Sequence, residues 1–418
     1  MQWLYNIAIQ CYVLGVRLAS LFNPKAKQWL DGRKEVFKNL ETAGFKASDA
    51  VVWIHAASLG EFEQGRPIIE QLKKEYPHCK ILLTFFSPSG YEIRKDYKLA
   101  DYVSYLPMDS KSNAQRFIEI VQPKLAIFIK YELWYHFLQQ LQKAKIPTLL
   151  VSALFRKEQF YFKNYGSWFK PVLAGLYHIF VQNKNSEQVL LQQGISKVSL
   201  IGDTRIDRVI KIREEKKSFP IVEAFVKNKP VLICGSTWPP DEGIIQDYIN
   251  NNPKKWRYII APHVISPSRI AYIENIFQIP HIRYSESEGA RLDDYDLLII
   301  DNIGMLSSLY QYGKVAYIGG AFGKGLHNTL EPITFGLPVI FGSNYQKFEE
   351  ATYLVENGGG FSVDSSNAFE TTLNQLEEES TYCTSSKTAA FYISNNKGAT
   401  QEIINFIAAN KLLLSAGK

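Results

Sequence analysis

The sequence predicts an α/β protein of two Rossmann-like, doubly wound domains facing a central cleft, preceded by an N-terminal membrane-associating helix. Three observations lead there. From residue 50 onward short β-rich apolar runs alternate with amphipathic stretches, the pattern of parallel strands covered by helices on both faces. The alternation stops at a charged stretch, 211–217, and restarts after Pro220. The chain has 418 residues, too many for one ordinary core and suited to two.

Composition narrows the class. A 46% hydrophobic and 21% charged chain is a soluble globular body, neither disordered nor a multi-span membrane protein. The formal charge of +6 permits an anionic substrate or membrane surface, and no nucleic-acid-binding motif is present, so nucleic acid is not expected as a partner. Cys11, Cys79, Cys234 and Cys383 lack paired spacing. That argues against disulfides and zinc and fits a reducing cytoplasm.

Residues 1–48 read as an N-terminal apolar helix and basic segment. Residues 1–22 carry one charge, Arg17, and lack the basic start of a secretory signal. Gln2, Asn6, Gln10 and Arg17 make a poor spanning helix. Lys25, Lys27, Arg33, Lys34 and Lys38 follow, so a helix lying on an anionic leaflet is expected, with a span and a core helix as the alternatives. Residues 49–206 form the first Rossmann-like domain, with strands at 51–55, 80–85, 125–129, 148–151, 178–181 and 198–201. A linker spans 207–228. The second domain, 229–398, has strands at 231–234, 257–261, 297–300, 315–318 and 338–341, and 399–418 is a C-terminal helix.

In doubly wound sheets ligands sit outside the carboxyl ends of the strands, which selects the loops. After the first strand comes His55-Ala56-Ala57-Ser58-Leu59-Gly60-Glu61-Phe62, whose small residues and helix start suit an anion or a close ligand. Glu61 reads either as a general base or as a helix-capping carboxylate, and the macrodipole is expected to keep it ionised. Gly235-Ser236-Thr237 reads either as a phosphate cradle of hydroxyls and N–H groups or as a plain strand-to-helix turn. It is not a nucleotide P-loop, since no Gly-Lys-Ser follows.

The stretch Gly319-Gly320-Ala321-Phe322-Gly323-Lys324-Gly325-Leu326-His327-Asn328-Thr329-Leu330-Glu331-Pro332 is richer. Its glycines allow close backbone approach, and it is expected to open a helix ending near Gly336, with His327 and Glu331 facing one ligand. A carboxylate there suits the two hydroxyls of a ribose. Asp294-Tyr295-Asp296 matches a metal-diphosphate pattern but precedes a strand, so it is read as a solvated turn. Aromatics and cations interleave at 155–171; a lipid-facing surface and a packed core helix are both open readings.

These motifs taken in order resemble the 3-deoxy-D-manno-octulosonic acid (Kdo) transferases. The resemblance rests on His55-x-x-Ser58-x-Gly60-Glu61, Glu132-Leu133-Trp134, Gly202-Asp203-x-Arg205-x-Asp207, Gly235-Ser236-Thr237, Pro262-His263 and Gly319-Gly320…His327-Asn328…Glu331, and spans roughly residues 1–410. It implies the GT-B fold and an inverting glycosyltransferase of lipopolysaccharide biosynthesis. Such an enzyme moves Kdo from CMP-Kdo to a lipid A precursor, lipid IVA, at the cytoplasmic face of the inner membrane. It implies that 49–206 binds acceptor and 229–398 binds the CMP-sugar. Glu61 is then the catalytic base, and Gly235, Ser236, Thr237, Pro262, His263, Gly319, Gly320, His327, Asn328 and Glu331 hold the donor. Ser58, Gly60, Glu132 and Arg205 hold the acceptor. No metal and no cofactor beyond the donor CMP-Kdo is expected.

Three segments depart from the family pattern. Lys130-Tyr131-Glu132-Leu133-Trp134-Tyr135 stands for Glu-Thr-Glu-Leu-Trp-Pro, and Ser152-Ala153-Leu154-Phe155-Arg156 for Asn-Ala-Arg-Leu-Ser. Pro262-His263-Val264-Ile265-Ser266-Pro267-Ser268-Arg269 replaces Pro-Arg-His-Pro-Glu-Arg and removes an arginine near the phosphate. The alternatives are another GT-B nucleotide-sugar transferase or epimerase, and a non-catalytic GT-B module binding nucleotide or lipid. A dinucleotide oxidoreductase is disfavoured, because no Gly-x-Gly-x-x-Gly follows the first strand.

Overall fold

The computed structural model describes residues 2–413 apart from Asn228 and Lys324. The chain divides into two compact units, Met1–Asp207 with Lys397–Lys418, and Arg208–Asn396.

The first unit holds strands β1 (Val51–Ala56), β2 (Lys80–Phe85), β3 (Tyr102–Tyr105), β4 (Leu125–Ile129), β5 (Thr148–Ala153), β6 (His178–Val181) and β7 (Val198–Leu200), in spatial order β3-β2-β1-β4-β5-β6-β7. All pairings are parallel. The order reverses between β1 and β4, so the loops after these two strands flank the crevice where such sheets bind ligands. All six residues of β1 are buried, because helices cover both faces. Side chains alternate: Val51 and Trp53 enter one apolar cluster, Val52 and Ile54 the other. Trp53 packs its ring 4.6 Å from Phe117 and 4.9 Å from Phe128.

The second unit repeats the plan with β8 (Val231–Thr237), β9 (Arg257–Pro262), β10 (His281–Arg283), β11 (Leu297–Ile299), β12 (Val315–Ile318), β13 (Val339–Phe341) and β14 (Gly360–Ser362), ordered β10-β11-β9-β8-β12-β13-β14. Its switch point lies between β8 and β12. Strands β3, β10 and β14 fall outside the sequence reading. They lie at or near sheet edges, are three or four residues long, and carry no apolar run.

Several expectations change. The stretch 207–228 is largely helical, within Thr204–Glu215 and Pro220–Val226. The C-terminal helix runs Ala399–Ala409 and gives way to a turn over 410–413, shorter than the expected 399–418; residues 414–418 lie outside the described residues. It belongs to the first unit, where Ile403, Ile404 and Ile407 join the cluster of Ile68 and Leu72. Asp207 holds its start by accepting from the N–H groups of Gly398 (2.6 Å) and Thr400 (2.7 Å). Residues 155–171 are two 3-10 turns and a short helix start, with Phe155, Tyr161 and Phe169 buried and only Phe160 and Tyr165 among the aromatics well exposed. The stretch is mainly core.

The N-terminal helix Gln2–Ala19 buries no residue. Its Tyr5 hydroxyl donates to Asp109, and its Asn6 side chain lies 2.7 Å from His136 Nε2. Trp3, Ile7, Leu14 and Leu18, spaced for one helical face, are exposed. No helix among the described residues is long and apolar enough to cross a membrane. Arg33 differs from the exposed lysines around it. It turns inward, donating to the carbonyls of Trp29, Phe86 and Leu106, with its guanidinium 3.8 Å from the Trp29 ring centre.

Candidate functional site

In the first unit the site is built where β1 and β4 end. The helix Leu59–Glu75 begins at once after β1, which places Glu61 in its first turn. There the carboxylate folds back and accepts from the N–H groups of Ala57 (2.6 Å) and Ser58 (3.2 Å). Glu61 is therefore a capping carboxylate in geometry, whatever else it does. The expectation that it stays fully ionised is overturned. Burial pushes its pKa up to about 7, the neighbouring Glu132 adds to the rise, and the two N–H groups and the Lys130 charge oppose it.

Glu132 belongs to a second cluster that the sequence reading had not assembled. His55 is fully buried, and its Nδ1 lies 3.1 Å from the Thr84 carbonyl and 2.9 Å from the Thr84 hydroxyl. A carbonyl only accepts, so Nδ1 carries a proton. Its Nε2 lies 3.2 Å from Glu132 Oε2, and the Trp134 indole N–H donates to the same oxygen at 2.7 Å. The same indole N–H lies 3.0 Å from His55 Nε2, so Nε2 can accept from Trp134. Glu132 and Trp134 share one motif; the sheet register, His55 opposite Phe128, is what brings His55 to them.

Ser58 caps the helix and Gly60 is exposed at its start, both beside Glu61. Arg205 is bound to its own neighbour: Nε and Nη2 donate to Asp203 at 2.9 and 2.7 Å. Burial opposes ionisation of Asp203, but the Arg205 guanidinium, with the Lys130 charge behind it, holds its pKa below the usual carboxylate range. Lys130 adopts a left-handed backbone, φ 66°.

In the second unit the loops after β8, β9 and β12 converge. Gly235, Ser236 and Thr237 lie inside β8 itself; Ser236 has φ 54° and marks a shift in register against β9. The Thr237 hydroxyl is not open to a ligand. It is buried and donates to Glu242 at 2.7 Å, so the hydroxyl-cradle expectation fails at this residue. Pro262 ends β9, and the His263 N–H donates to the Thr237 carbonyl. Gly320 has φ 97°, and a Cβ there would lie 2.7 Å from His327 Cδ2. Asp241, missed by sequence reading as a site residue, ties the loops together: it accepts from the N–H groups of Trp238 (2.9 Å) and Gly320 (3.0 Å). Burial raises its pKa against those bonds.

His327 and Glu331 do not share a helix face as expected. The helix is only Leu330–Thr334, so His327 precedes it and stacks on His263, while Glu331 accepts from Asn328 Nδ2 at 3.1 Å. Burial raises the Glu331 pKa, opposed by Asn328 and the Arg208 charge. Asp296 is not a solvated turn residue either: it is buried and paired with Arg257 at 3.0 Å. No cluster of three or more metal-ligating side chains occurs among the described residues.

Two seven-stranded parallel sheets, with a carboxylate-bearing loop at one switch point and a glycine-rich loop at the other, form an α/β architecture of the GT-B type. Residues 31–208 match the family model described as 3-Deoxy-D-manno-octulosonic-acid transferase (kdotransferase). This match and the relatives that follow support a Kdo transferase. The chain is 26% identical over 416 residues to the 3-deoxy-D-manno-octulosonic acid transferase of Haemophilus influenzae, covering 96% of this chain and 94% of that one. To the enzyme of the same name from Aquifex aeolicus it is 28% identical over 353 residues, 82% and 88% of the two chains. Among solved structures, a UDP-GlcNAc 2-epimerase from Neisseria meningitidis superposes with TM-score 0.61 at 17% identity over 86% of this chain and 99% of that one. That likeness is one of fold.

Proposed function

We propose that the protein transfers Kdo from CMP-Kdo to a lipid A precursor, lipid IVA, at the cytoplasmic face of the inner membrane, with Glu61 as the base. The observation that carries the chemistry is Glu61 itself, a carboxyl held by two backbone N–H groups and raised to about 7. A base works best when its pKa lies near the working pH. In this reading Glu61 accepts the proton of the acceptor hydroxyl as that oxygen bonds to the donor's anomeric carbon. The bond from that carbon to the phosphate oxygen breaks, and CMP leaves with the electron pair. One base on the face opposite the leaving group suffices for such an inverting displacement. The donor lies against the loops of the second unit, with Glu331 and Asn328 toward the ribose hydroxyls and the N–H groups around Gly319 and Gly320 toward the phosphate.

The exposed face of helix Gln2–Ala19, followed by exposed Lys25, Lys27, Lys34 and Lys38, supports a helix lying in the membrane surface. Incubation with CMP-Kdo and lipid IVA, followed by product mass, tests the activity. Glu61→Gln should lower kcat by about 10²–10⁴-fold with folding intact; transfer at the wild-type rate would remove Glu61 as base.

A further inference from the structure

Three rings meet where β8, β9 and the loop after β12 come together. Trp238 stacks on His263 at 4.8 Å with 28° between the planes, and His263 stacks on His327 at 4.3 Å and 21°. The Trp238 indole nitrogen also lies 3.0 Å from His327 Nε2. An indole nitrogen only donates, so His327 Nε2 accepts and bears no proton. A neutral imidazole then carries its single proton on Nδ1. An imidazolium would place an N–H against an N–H.

We propose that Trp238 is a positioning residue that fixes His327 as the neutral Nδ1–H tautomer, so that this ring presents one N–H donor, and no cation, to the phosphate of a nucleoside monophosphate. The ligand half of the proposal rests on the donor reading above. The surrounding charges are committed elsewhere. Asp241 accepts from Trp238 and Gly320, and Arg269 pairs with the buried Glu242. Among the described residues none accepts a hydrogen bond from His327 Nδ1. Gly320 leaves room for the ring: an added Cβ would lie 3.0 Å from His327 Nε2 and would press on the edge that Trp238 engages. Burial, with the adjacent His263, pushes the His327 pKa down to about 4, which agrees with a ring kept neutral.

The test uses the full chain labelled with ¹⁵N-histidine, read first without ligand and then titrated with CMP. In the wild type His327 should show a bare Nε2 and a protonated Nδ1. Trp238→Phe keeps an aromatic ring for stacking and removes the N–H. It should give a mixture of tautomers, about tenfold weaker CMP binding, a donor KM raised by a similar factor, and kcat within about twofold. A protonated Nε2 in the wild type, or an unchanged nitrogen pattern in Trp238→Phe, would overturn the tautomer lock.

A second pair does not depend on how Trp238→Phe folds. Asn carries its N–H₂ near the Nδ1 position and Gln near Nε2, so His327→Asn should bind CMP within about threefold of wild type and His327→Gln about tenfold more weakly. Equal losses or the reverse order would overturn the assignment of the ligand to Nδ1. A wild-type spectrum with the expected tautomer but no CMP binding overturns the nucleotide reading and not the lock, because the spectrum is recorded without ligand.

Discussion

Because burial and the Glu132 charge raise Glu61 to about 7, its ionised, proton-accepting form grows in across the neutral range. The acid limb of kcat/KM should therefore follow a group near that value. Glu132→Gln removes the repulsion and should move the limb down; Lys130→Met removes an attraction and should move it up. A limb that stays in place in both variants would separate Glu61 from the proton transfer. The same shift has a stability consequence. The folded pKa lies above the ordinary 4.5, so the folded state binds the extra proton between about 4.5 and 7, and stability falls as pH rises through that window. Glu61→Gln should accordingly stabilise the protein at pH 8 by on the order of 1–2 kcal/mol after allowance for partial exposure, measured as a rise in Tm that vanishes below the window. The sequence placed Glu61 at a helix start after a strand, which suggested an ionised cap. It named Glu132 for the acceptor set but not its closeness to Glu61, because proximity between loops of neighbouring strands is set by sheet order.

At the scale of elements, β8 shows a glycine that the packing itself requires. Gly235 was expected in a phosphate cradle or a strand-to-helix turn; it lies inside β8, and a Cβ there would collide with the hydroxyl of the buried Tyr310. Gly235→Ala should cost about 1–3 kcal/mol, and Tyr310→Phe in the same chain should recover part of it; additive losses in urea unfolding would dismiss the contact. The C-terminal helix is a second case. Its apolar spacing was legible, but its partner was not, since Asp207 lies 191 residues before Gly398. Asp207→Ala leaves two N–H groups without their acceptor and should lower stability by about 1–3 kcal/mol without altering CMP affinity. The aromatic stretch 155–171 was ambiguous because cations interleaved among aromatics look alike on a membrane face and over a core. The packing of Phe155, Tyr161 and Phe169 into the first unit decides for core.

At the scale of the whole molecule, the membrane binding proposed above rests on the exposed face of the N-terminal helix. Ile7→Glu/Leu14→Glu/Leu18→Glu changes three exposed positions, so Tm should hold while partition onto anionic vesicles falls at least about tenfold; full retention on vesicles would dismiss the helix as the anchor. What the sequence by itself determined is the paired parallel-sheet architecture and the loops at the carboxyl ends of its strands, because periodicity and glycine placement are properties of the chain read along its length. Eleven of the strands were legible for that reason, and the three short ones that lack an apolar run were not. Only the tertiary structure decided that Glu61 is raised and not held ionised, that Thr237 turns its hydroxyl inward, and that Trp238, His263 and His327 form one stack. Desolvation, charge proximity and ring contact are fixed by neighbours in space, and strand order brings together residues that spacing along the chain keeps far apart.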